Sequence, residues 1–235
     1  MSDVNPGFRF KQFYVRHDRC AMKVGTDGVL LGAWMPISQE PKDHPYMVLD
    51  VGTGSGLIAR MLMQRCPKAE IEGIDIDEAA VEQARENGVK AHCAAFQKWQ
   101  GTYDLIVSNP PFFQNSLKNP DKGRQLARHT DTLPYAELIH HSARLLKANG
   151  RLSLILPADT ETEVRRLAEN EGLFPIRITH VFSKEGKPPR RVLLLFEMSE
   201  CRNPDTPIQE DILILEDGKG GRSAQYSELT KDFYL

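Results

Sequence analysis

The motif Asn109–Phe112 (Asn-Pro-Pro-Phe) carries the most informative chemistry of this 235-residue chain. Asn109 offers a carboxamide oxygen, and the two prolines give the Pro110 carbonyl a fixed direction. Two such acceptors can hold both hydrogens of an exocyclic NH₂ group and align its nitrogen lone pair with an electrophile. An aromatic side chain beside them can stack on a flat acceptor. The motif therefore predicts group transfer to a planar amine or amide nitrogen, without a metal or a covalent intermediate. The predicted catalytic residues are Asn109, Pro110, Pro111 and Phe112.

A glycine-rich turn, Asp50–Gly56, precedes this motif in the chain. Glycines let the backbone turn sharply from a strand into a helix and approach a ligand closely. The spacing is G-x-G-x-G, whereas dinucleotide-binding proteins have G-x-G-x-x-G, and this departure favours S-adenosylmethionine (SAM), which has no phosphate. Asp75 follows about twenty residues later, where a carboxylate can accept hydrogen bonds from both ribose hydroxyls. Asp77 lies just beyond and is the predicted cap of the next helix. Asp50 is expected to orient the turn, or to reach the amino group of the methionine moiety through water. A nucleotide-using oxidoreductase is the alternative for this turn.

Strands and helices must bring these two motifs together. From residue 47 onward, apolar runs predict strands at 48–51, 71–75, 89–92, 105–108, 152–156, 176–181 and 191–196. Helical spacing predicts helices at 57–65, 78–86, 135–147 and 161–170. This alternation indicates a mostly parallel α/β sheet with helices on both faces, whose ligands lie beyond the carboxyl ends of the strands. A hairpin turn at Lys184–Pro189 should add an antiparallel strand, and 212–215 one more edge strand.

We expect one domain over residues 1–235, with additional segments at both ends of a catalytic core. Residues 1–46 would form an extension that covers substrate and cofactor, 47–200 the catalytic core, and 201–235 an edge strand and tail. Within the extension, Thr26 or Asp27 is the predicted N-cap of a short helix that ends before Pro36.

Composition is that of an ordinary globular chain, with 40% hydrophobic and 26% charged residues. No apolar run approaches the roughly 20 residues of a membrane helix, and the first residues lack a signal-peptide core. The cysteines are scattered without the paired spacing of a zinc or redox site: Cys20, Cys66, Cys93 and Cys201. We therefore expect a cytoplasmic protein with no metal, no membrane association and no obligate protein partner.

A net charge of −2 argues against a global attraction to nucleic acid, but three local stretches are basic. They are Arg9, Lys11, Arg16, Arg19 and Lys23; Lys118, Lys122, Arg124 and Arg128; and Lys184, Lys187, Arg190 and Arg191. Two of them also contain aromatic or proline residues that suit contacts with RNA, although solvated charge is the alternative for each. The predicted RNA-contacting residues are Arg9, Lys11, Phe13, Arg16, Lys118, Arg124, Arg128, His129, Lys187 and Arg190.

With these residues in view, 48–156 resembles the class I SAM-dependent methyltransferases of the Asn-Pro-Pro-Tyr/Phe group. Segments 10–13, 20–32, 127–129 and 232–235 are specifically similar to the bacterial tRNA (adenine-N6)-methyltransferases. Those enzymes act on adenine 37 of tRNA1(Val), on the 3′ side of the anticodon. The resemblance implies a Rossmann-like, seven-stranded, mostly parallel sheet with an antiparallel terminal hairpin. It also implies SAM as cofactor and tRNA as partner.

The resemblance assigns roles to individual residues. Gly52, Gly54 and Asp75 match cofactor positions, and Lys23, Thr26 and Asp27 lie in a segment expected to fold over the cleft. Members of the group often have an acidic residue after the third strand, but residues 92–96 contain no carboxylate. Backbone amides and packing by Ala95 or Phe96 must then recognise the adenine of SAM. The predicted cofactor-binding residues are Asp50, Gly52, Gly54, Gly56, Asp75, Ala95, Phe96, Lys23 and Thr26.

Other acceptors remain open on the residues alone. The same motif would suit glutamine N5-methylation of a translation release factor or guanine-N2 methylation of ribosomal RNA. The spread of basic residues favours RNA, and the absence of a separate N-terminal helical domain disfavours the release-factor enzymes. A catalytically silent RNA-binding or scaffold protein would predict a damaged cofactor site, which the intact glycines, Asp75 and Asn109 argue against. Arg128 and His129 could equally be a substrate clamp or a helix-terminal charge pair.

Overall fold

The computed structural model describes residues 6–37, 45–111, 133–198 and 207–235. Its strands are β1 (Gly7–Arg9), β2 (Tyr14–Arg16), β3 (Met47–Val51), β4 (Glu70–Asp75), β5 (Lys90–Cys93), β6 (Tyr103–Ser108), β7 (Leu146–Pro157), β8 (Leu173–Phe182), β9 (Arg191–Met198) and β10 (Gln209–Ile214). Its helices are α1 (Thr26–Trp34), α2 (Leu57–Arg65), α3 (Glu78–Glu86), α4 (Tyr135–Leu145), α5 (Glu161–Asn170) and α6 (Ala224–Thr230). Short 3₁₀ helices occupy Phe96–Lys98 and Ala158–Thr160.

Eight strands of the described chain form the central sheet, in the spatial order β10-β8-β9-β7-β6-β3-β4-β5. All pairings among strands β3 to β7 are parallel. Strand β9 is antiparallel to both β7 and β8. The mostly parallel sheet and its antiparallel hairpin are therefore confirmed. An eighth strand, β10, pairs in parallel with β8 at the edge, where the sequence predicted an additional strand.

The sheet is buried on both faces because successive side chains of a strand point to opposite sides. Along β3, Val48 packs with one hydrophobic cluster and Leu49 with the other. The first cluster includes buried side chains of α1, α2 and α3, among them Leu30, Ile58 and Val81. The second includes side chains of α4 and α5, among them Leu138, Ile139 and Val164. Each fully buried aliphatic side chain contributes about 1.5–3 kcal/mol by leaving water, so this two-sided packing holds the loops at the carboxyl edge of the sheet.

The N-terminal residues form a separate hairpin that packs on α1 and α2. Strands β1 and β2 are antiparallel, and the hairpin buries Phe10, Phe13 and Val15. These side chains form a third hydrophobic cluster with α1, α2 and Phe233 of the C-terminal tail. The same tail accepts a hydrogen bond from the backbone amide of Lys11 at the Phe233 carbonyl, 2.8 Å away. The two ends of the chain are therefore packed together on the α2 side.

The start of α1 differs from the prediction. Gly25 is the N-cap and makes no side-chain capping bond, while Thr26 and Asp27 lie inside the first turn. The prediction of Thr26 or Asp27 as the cap was wrong, because the first helical hydrogen bond already runs from the Val29 amide to the Gly25 carbonyl at 3.3 Å. The Asp27 side chain bonds a different element. Its carboxylate accepts a hydrogen bond from Arg191 Nε at 2.9 Å, and so connects α1 to β9.

Candidate active site

The glycine turn between β3 and α2 is held by the neighbouring strand. The amides of Gly52 and Thr53 donate to the Ile74 carbonyl of β4 at 2.9 and 3.0 Å. Gly52 and Gly54 have φ angles of +69° and +54°, in the left-handed region that favours glycine. A Cβ added at either position would meet no atom of the described chain within 4 Å. Backbone conformation, and not crowding, therefore requires these two glycines, and the space beside them is open to a ligand.

Gly56 has a different role in the same turn. Its φ is +78°, and an added Cβ would lie 2.7 Å from Val89 Cγ2 and 3.3 Å from Ala84 Cβ. Its amide donates to the Thr53 carbonyl at 2.8 Å. Because its Cβ position faces packed side chains and its amide is engaged inside the turn, the structure assigns Gly56 to packing. It provides no support for the predicted contact of Gly56 with the cofactor.

Asp50 lies beneath the turn and is fully buried. Its Oδ2 accepts hydrogen bonds from Thr53 Oγ1 at 2.8 Å and from the Ala59 amide at 3.2 Å. Its Oδ1 is buried without a hydrogen-bond partner among the described residues. Burial raises the pKa of this carboxyl to about 7, against the lowering effect of the two hydrogen bonds. The carboxylate thus ties the turn to the first turn of α2.

Asp75 stands at the carboxyl end of β4, facing the glycine turn. Its Oδ2 accepts a hydrogen bond from the Gly54 amide at 2.9 Å, and its Oδ1 accepts one from the Asp77 amide at 3.0 Å. Each carboxylate oxygen retains a second lone pair, so Asp75 can still accept from two ligand hydroxyls. Asp77 accepts a hydrogen bond from the Ala79 amide at 2.9 Å, which confirms it as the N-cap of α3.

Asn109 follows the last residue of β6 and lies beside the glycine turn. Ser108 and Val51 are in register on neighbouring strands, and Ser108 Oγ donates to the Val51 carbonyl at 2.8 Å. Asn109 and Gly52 therefore leave the sheet side by side, at the strand separation of about 4.8 Å. The Asn109 Oδ1 atom is buried without a hydrogen-bond partner in the described part of the chain. Pro110 is buried and Pro111 exposed, while Phe112 lies outside the described residues.

The loop after β5 forms another side of the cleft. Its position is set by the Ala94 amide, which donates to the Asp75 carbonyl at 2.9 Å. Ala95 is half-buried, whereas Phe96 is only 3% exposed and belongs to the core beneath the sheet. Ala95 can therefore line the cleft directly, and Phe96 supports it from below.

The start of α1 borders the cleft from the N-terminal side. A Cβ added to Gly28 would lie 2.9 Å from Leu57 Cδ2, so the first turn of α1 rests on the first turn of α2. Thr26 is exposed at this point, and Lys23 is exposed just before it. The structure thus brings the predicted covering residues to the side of the glycine turn.

The basic residues are distributed over two sides of the molecule. Lys187 and Arg190 are exposed in the turn between β8 and β9. This turn lies at the carboxyl edge, because Arg191 pairs with Pro157 at the end of β7. Both residues therefore share an edge with Asn109. Four further predicted RNA contacts fall outside the described residues: Lys118, Arg124, Arg128 and His129.

The other predicted RNA contacts lie in the N-terminal hairpin, and two of them, Phe13 and Lys11, are not available to RNA. Phe13 is 5% exposed and stacks on Phe10, so its ring is packed in the core and is not accessible to a base. Lys11 Nζ donates to the Lys231 carbonyl at 2.6 Å, next to the point where Gln64 at the end of α2 bonds the tail. Helix α2 runs away from the glycine turn for about 13 Å, so Lys11 is remote from the cleft. Neither residue is retained as an RNA contact.

Two other residues of this hairpin are exposed and partly engaged. The Arg9 guanidinium lies 5.2 Å from the centre of the Tyr14 ring. The Arg16 guanidinium is paired with Asp18 at 3.2 Å, and this pair raises the pKa of Arg16. Their charge is accessible to solvent, but each already has an intramolecular partner.

Comparison with known proteins agrees with this geometry. A family model described as "Methyltransferase small domain" matches residues 30–170. A tRNA1(Val) (adenine(37)-N6)-methyltransferase of Bacteroides fragilis is 41% identical over 98% of both chains. Enzymes of the same name from Phocaeicola vulgatus and Parabacteroides distasonis are 44% and 43% identical over at least 98% of both chains. The chain belongs to the tRNA1(Val) (adenine(37)-N6)-methyltransferase family.

Solved structures show that the fold of this methyltransferase is shared by more distant proteins. A "predicted O-methyltransferase" of Agrobacterium tumefaciens superposes with a TM-score of 0.64 at 16% identity, covering 88% of this chain and 96% of that chain. A Listeria monocytogenes protein, described as a candidate class I SAM-dependent methyltransferase, superposes with a TM-score of 0.56 at 13% identity. That match covers 83% of this chain and 65% of the other. At such identities the likeness concerns the fold alone, and it confirms the predicted Rossmann-like architecture.

One residue beside the cofactor turn of the methyltransferase was missed by sequence reasoning. Ile76, directly after Asp75, is 56% exposed, and its carbonyl accepts a 3.7 Å hydrogen bond from Cys93 Sγ. An exposed apolar side chain at the end of a buried strand is a suitable surface for a flat ring. The available signal was an isoleucine placed outside the strand, between two aspartates.

No helix in ranges 6–37, 45–111, 133–198 and 207–235 is long and apolar enough to span a membrane. In those same ranges, no group of three or more His, Cys, Asp or Glu side chains is arranged to hold a metal ion.

Proposed function

We propose that this chain transfers the methyl group of SAM to the exocyclic N6 of adenine 37 in tRNA1(Val), by direct in-line displacement. The observation that carries this proposal is the Asn109 carboxamide oxygen. It is buried beside the glycine turn and lacks a hydrogen-bond partner among the described residues. A buried acceptor without a partner costs about 1–3 kcal/mol, and the N6 amino group of a bound adenine would remove that cost.

The residues of the cofactor half fit SAM. The two free lone pairs of Asp75 match the two ribose hydroxyls, and the open space beside Gly52 and Gly54 allows the methionine tail to approach the backbone. Ala95 and Ile76 present apolar surface for the adenine ring, with Phe96 supporting the loop from the core. Asp50 orients the turn, while Lys23 and Thr26 cover the opening. When bound, SAM supplies an electrophilic methyl group on a sulfonium sulfur.

Asn109 and Pro110 position the nucleophile. The Asn109 Oδ1 atom and the Pro110 carbonyl each accept one N6 hydrogen, and together they hold the amino group with its nitrogen lone pair aimed at the methyl carbon. This alignment matters because the lone pair is otherwise delocalised into the ring. Positive charge develops on N6 as the new bond forms, and the two fixed oxygens stabilise it. Once the N6–methyl bond has formed and the sulfonium S–methyl bond has broken, the acidic N6 proton passes to water, because neither amide oxygen is basic enough to keep it. Phe112 would stack on the adenine, and Pro111 keeps the backbone rigid.

The target adenine must leave the stack of the anticodon loop before it can reach this cleft. Lys187 and Arg190 lie at the same sheet edge as Asn109 and are exposed, so they can bind phosphates on either side of the extruded nucleotide. We also retain Arg9, Arg16, Lys118, Arg124, Arg128 and His129 as proposed RNA contacts. A tRNA substrate agrees with the predicted cytoplasmic location.

Transfer of labelled methyl groups from SAM to unmodified bulk tRNA tests the proposal. Nucleoside analysis should then yield N6-methyladenosine from tRNA1(Val) and none from a transcript in which adenine 37 is replaced by guanine. Label in the glutamine of a release factor, or in N2-methylguanosine, with no N6-methyladenosine, would refute it.

A further inference from the structure

Two amide side chains, one within α3 and one at its C-cap, have hydrogen-bond partners outside this helix. Gln83 is completely buried, and Asn87, one helical turn further on, is 9% exposed. Residues four apart on a helix lie on the same face. In both cases the amide contacts the N-terminal residues 16–20, which precede it by more than 60 positions in the chain.

Gln83 uses its whole amide on this segment. Its Oε1 accepts hydrogen bonds from the Arg19 amide at 3.0 Å and from Cys20 Sγ at 3.2 Å. Its Nε2 donates to Asp18 Oδ1 at 2.8 Å. Three consecutive residues are therefore held by one buried side chain.

Asn87 holds the segment and the glycine turn at once. Its Oδ1 accepts from the Arg16 amide at 2.9 Å, and its Nδ2 donates to the Arg16 carbonyl at 2.8 Å. The same Nδ2 donates to the Ser55 carbonyl, also at 2.8 Å. Asn87 thus sets the distance between the N-terminal segment and the turn that the cofactor approaches.

The path of the segment after these contacts crosses the opening of the cleft. It leaves the α3 side at Cys20, whose thiol pKa is raised mainly by burial and also by the nearby carboxylates of Asp75 and Asp77. It reaches the start of α1 at Thr26, beside the first turn of α2. Between them, the Val24 amide donates to His17 Nδ1 at 3.1 Å and closes the segment into a loop.

Two side chains of this loop are exposed near the opening of the cleft. Met22 is 48% exposed, and Lys23 is also exposed. Ile76, the residue after Asp75, is another large apolar side chain with more than half of its surface exposed. Exposed apolar side chains on both the segment and the rim of the cleft are surfaces that a bound ligand would cover.

Packing alone does not explain the choice of an amide at position 83. An aliphatic side chain of similar size would fill a fully buried site on α3 without the cost of desolvating a polar group. The amide specifies one register of residues 18–20, because any displacement of the segment would leave buried donors and acceptors without partners. Gln83 therefore fixes the position of residues 18–20 more than it raises the free energy of unfolding.

We propose that Gln83 and Asn87 are positioning residues that hold residues 16–24, here called the N-terminal strap, over the ribose side of the SAM site. They touch neither substrate nor cofactor, and act through the strap. This inference rests on the proposed function, since it takes SAM to be the ligand beneath the strap.

The test compares two Gln→Met substitutions in the full-length protein. Gln83→Met removes the strap contacts and keeps the side-chain volume. Gln64→Met is the matched control, because Gln64 Nε2 bonds the Asp232 carbonyl and holds the C-terminal tail on α2. We expect Gln83→Met to raise the equilibrium Kd for SAM about tenfold, with kcat at saturating SAM within about twofold of wild type. Trypsin should cleave the variant faster after Arg19 and Lys23, and SAM should protect those sites less. Gln64→Met should leave the Kd and both cleavage rates unchanged.

A second pair of variants separates positioning from loss of folding. Gln83→Glu places a carboxylate against Asp18, and should weaken SAM binding more than Gln83→Met does. Adding Asp18→Asn restores a donor–acceptor pair with the roles exchanged and the net charge unchanged, so it should recover at least half of the lost affinity. Failure of this rescue, or an unchanged SAM Kd in Gln83→Met while the wild type binds SAM, would overturn the positioning role. Absence of SAM binding by the wild type would instead overturn the proposed function.

Discussion

The two halves of the cleft are built differently. In the cofactor half, Asp75 accepts a hydrogen bond from the Gly54 amide, and Asp50 Oδ2, beneath the turn, accepts from Thr53 and Ala59, although Asp50 Oδ1 has no partner among the described residues. In the acceptor half, the Asn109 oxygen has no hydrogen-bond partner among the described residues. We infer from this difference that the proposed SAM site is organised before a ligand arrives, whereas the adenine itself completes the acceptor site. Substitutions in the two halves should therefore affect different kinetic constants.

The largest effect is expected at Asn109. Asn109→Ala removes one of the two oxygens that align N6, and should lower kcat for tRNA methylation by about 10²–10³-fold. The Kd for SAM should stay within twofold of wild type, because the cofactor half does not depend on this side chain. Rapid-quench assays and equilibrium binding measure the two quantities. Loss of SAM binding in this variant would contradict the division into halves.

The free energy of unfolding should depend on pH through Asp50, in the cofactor half of the cleft. The pKa of Asp50 is raised to about 7 by burial, whereas the unfolded carboxyl titrates near 4. The folded state therefore holds this proton more tightly, and its stabilising contribution, complete below pH 4, is lost as pH rises through about 7. Between pH 5 and 8 the free energy of unfolding should fall by about 2–3 kcal/mol from this group.

Denaturant unfolding of wild type and Asp50→Asn at both pH values isolates this contribution. The asparagine cannot ionise, so its stability should change less over the same range. Equal pH dependence in the two proteins would show that Asp50 is not the group responsible.

Two neighbouring aspartates of the cofactor half, Asp75 and Asp77, should respond differently to substitution. Asp75→Asn should raise the Kd for SAM by about 10–100-fold, because hydrogen bonds to a charged acceptor are worth about 1.5–3 kcal/mol. The kcat at saturating SAM should change little. Asp77→Ala is the matched control, since Asp77 caps α3. It should cost about 1 kcal/mol of stability and leave the Kd for SAM nearly unchanged. The reverse pattern would mean that the ribose contact is misassigned.

The smallest effects should come from the basic turn on the acceptor side. Lys187→Ala together with Arg190→Ala should raise the KM for tRNA several-fold and reduce the slope of log affinity against log salt by about 2. SAM binding should not change. Lys11→Ala serves as the control, because Lys11 bonds the C-terminal tail away from the cleft. An equal loss of tRNA affinity in the control would return Lys11 to the proposed RNA contacts.

Sequence reasoning recovered the elements that local patterns specify. The helices 57–65, 78–86 and 161–170 were predicted with the bounds that the structure has, because apolar periodicity and the flanking turn residues define them. Asp77 was correctly predicted as a cap, since it directly precedes its helix. The prediction for Thr26 or Asp27 failed, because the Asp27 side chain bonds Arg191, which lies far along the chain and which no local pattern indicates.

Several site residues could not be placed from sequence. Phe13 and Lys11 belong to a basic and aromatic stretch, yet one is packed in the core and the other bonds the tail. Gly56 fits the cofactor motif, although its neighbours are the side chains of Val89 and Ala84. Exposure depends on which elements pack against a segment, and a local pattern carries no information about that.

The sequence by itself determined the chemistry of this protein. Glycines in a strand–helix turn, a carboxylate about twenty residues later and the Asn-Pro-Pro-Phe motif specify a methyl donor and a planar nitrogen acceptor through local spacing. The tertiary structure decided which charges face the cleft, and that Gln83 and Asn87 hold the N-terminal strap. The reason is that these contacts join residues more than 60 positions apart. Only the completed sheet, with α1, α2 and α3 packed on one face, brings those residues within hydrogen-bond distance.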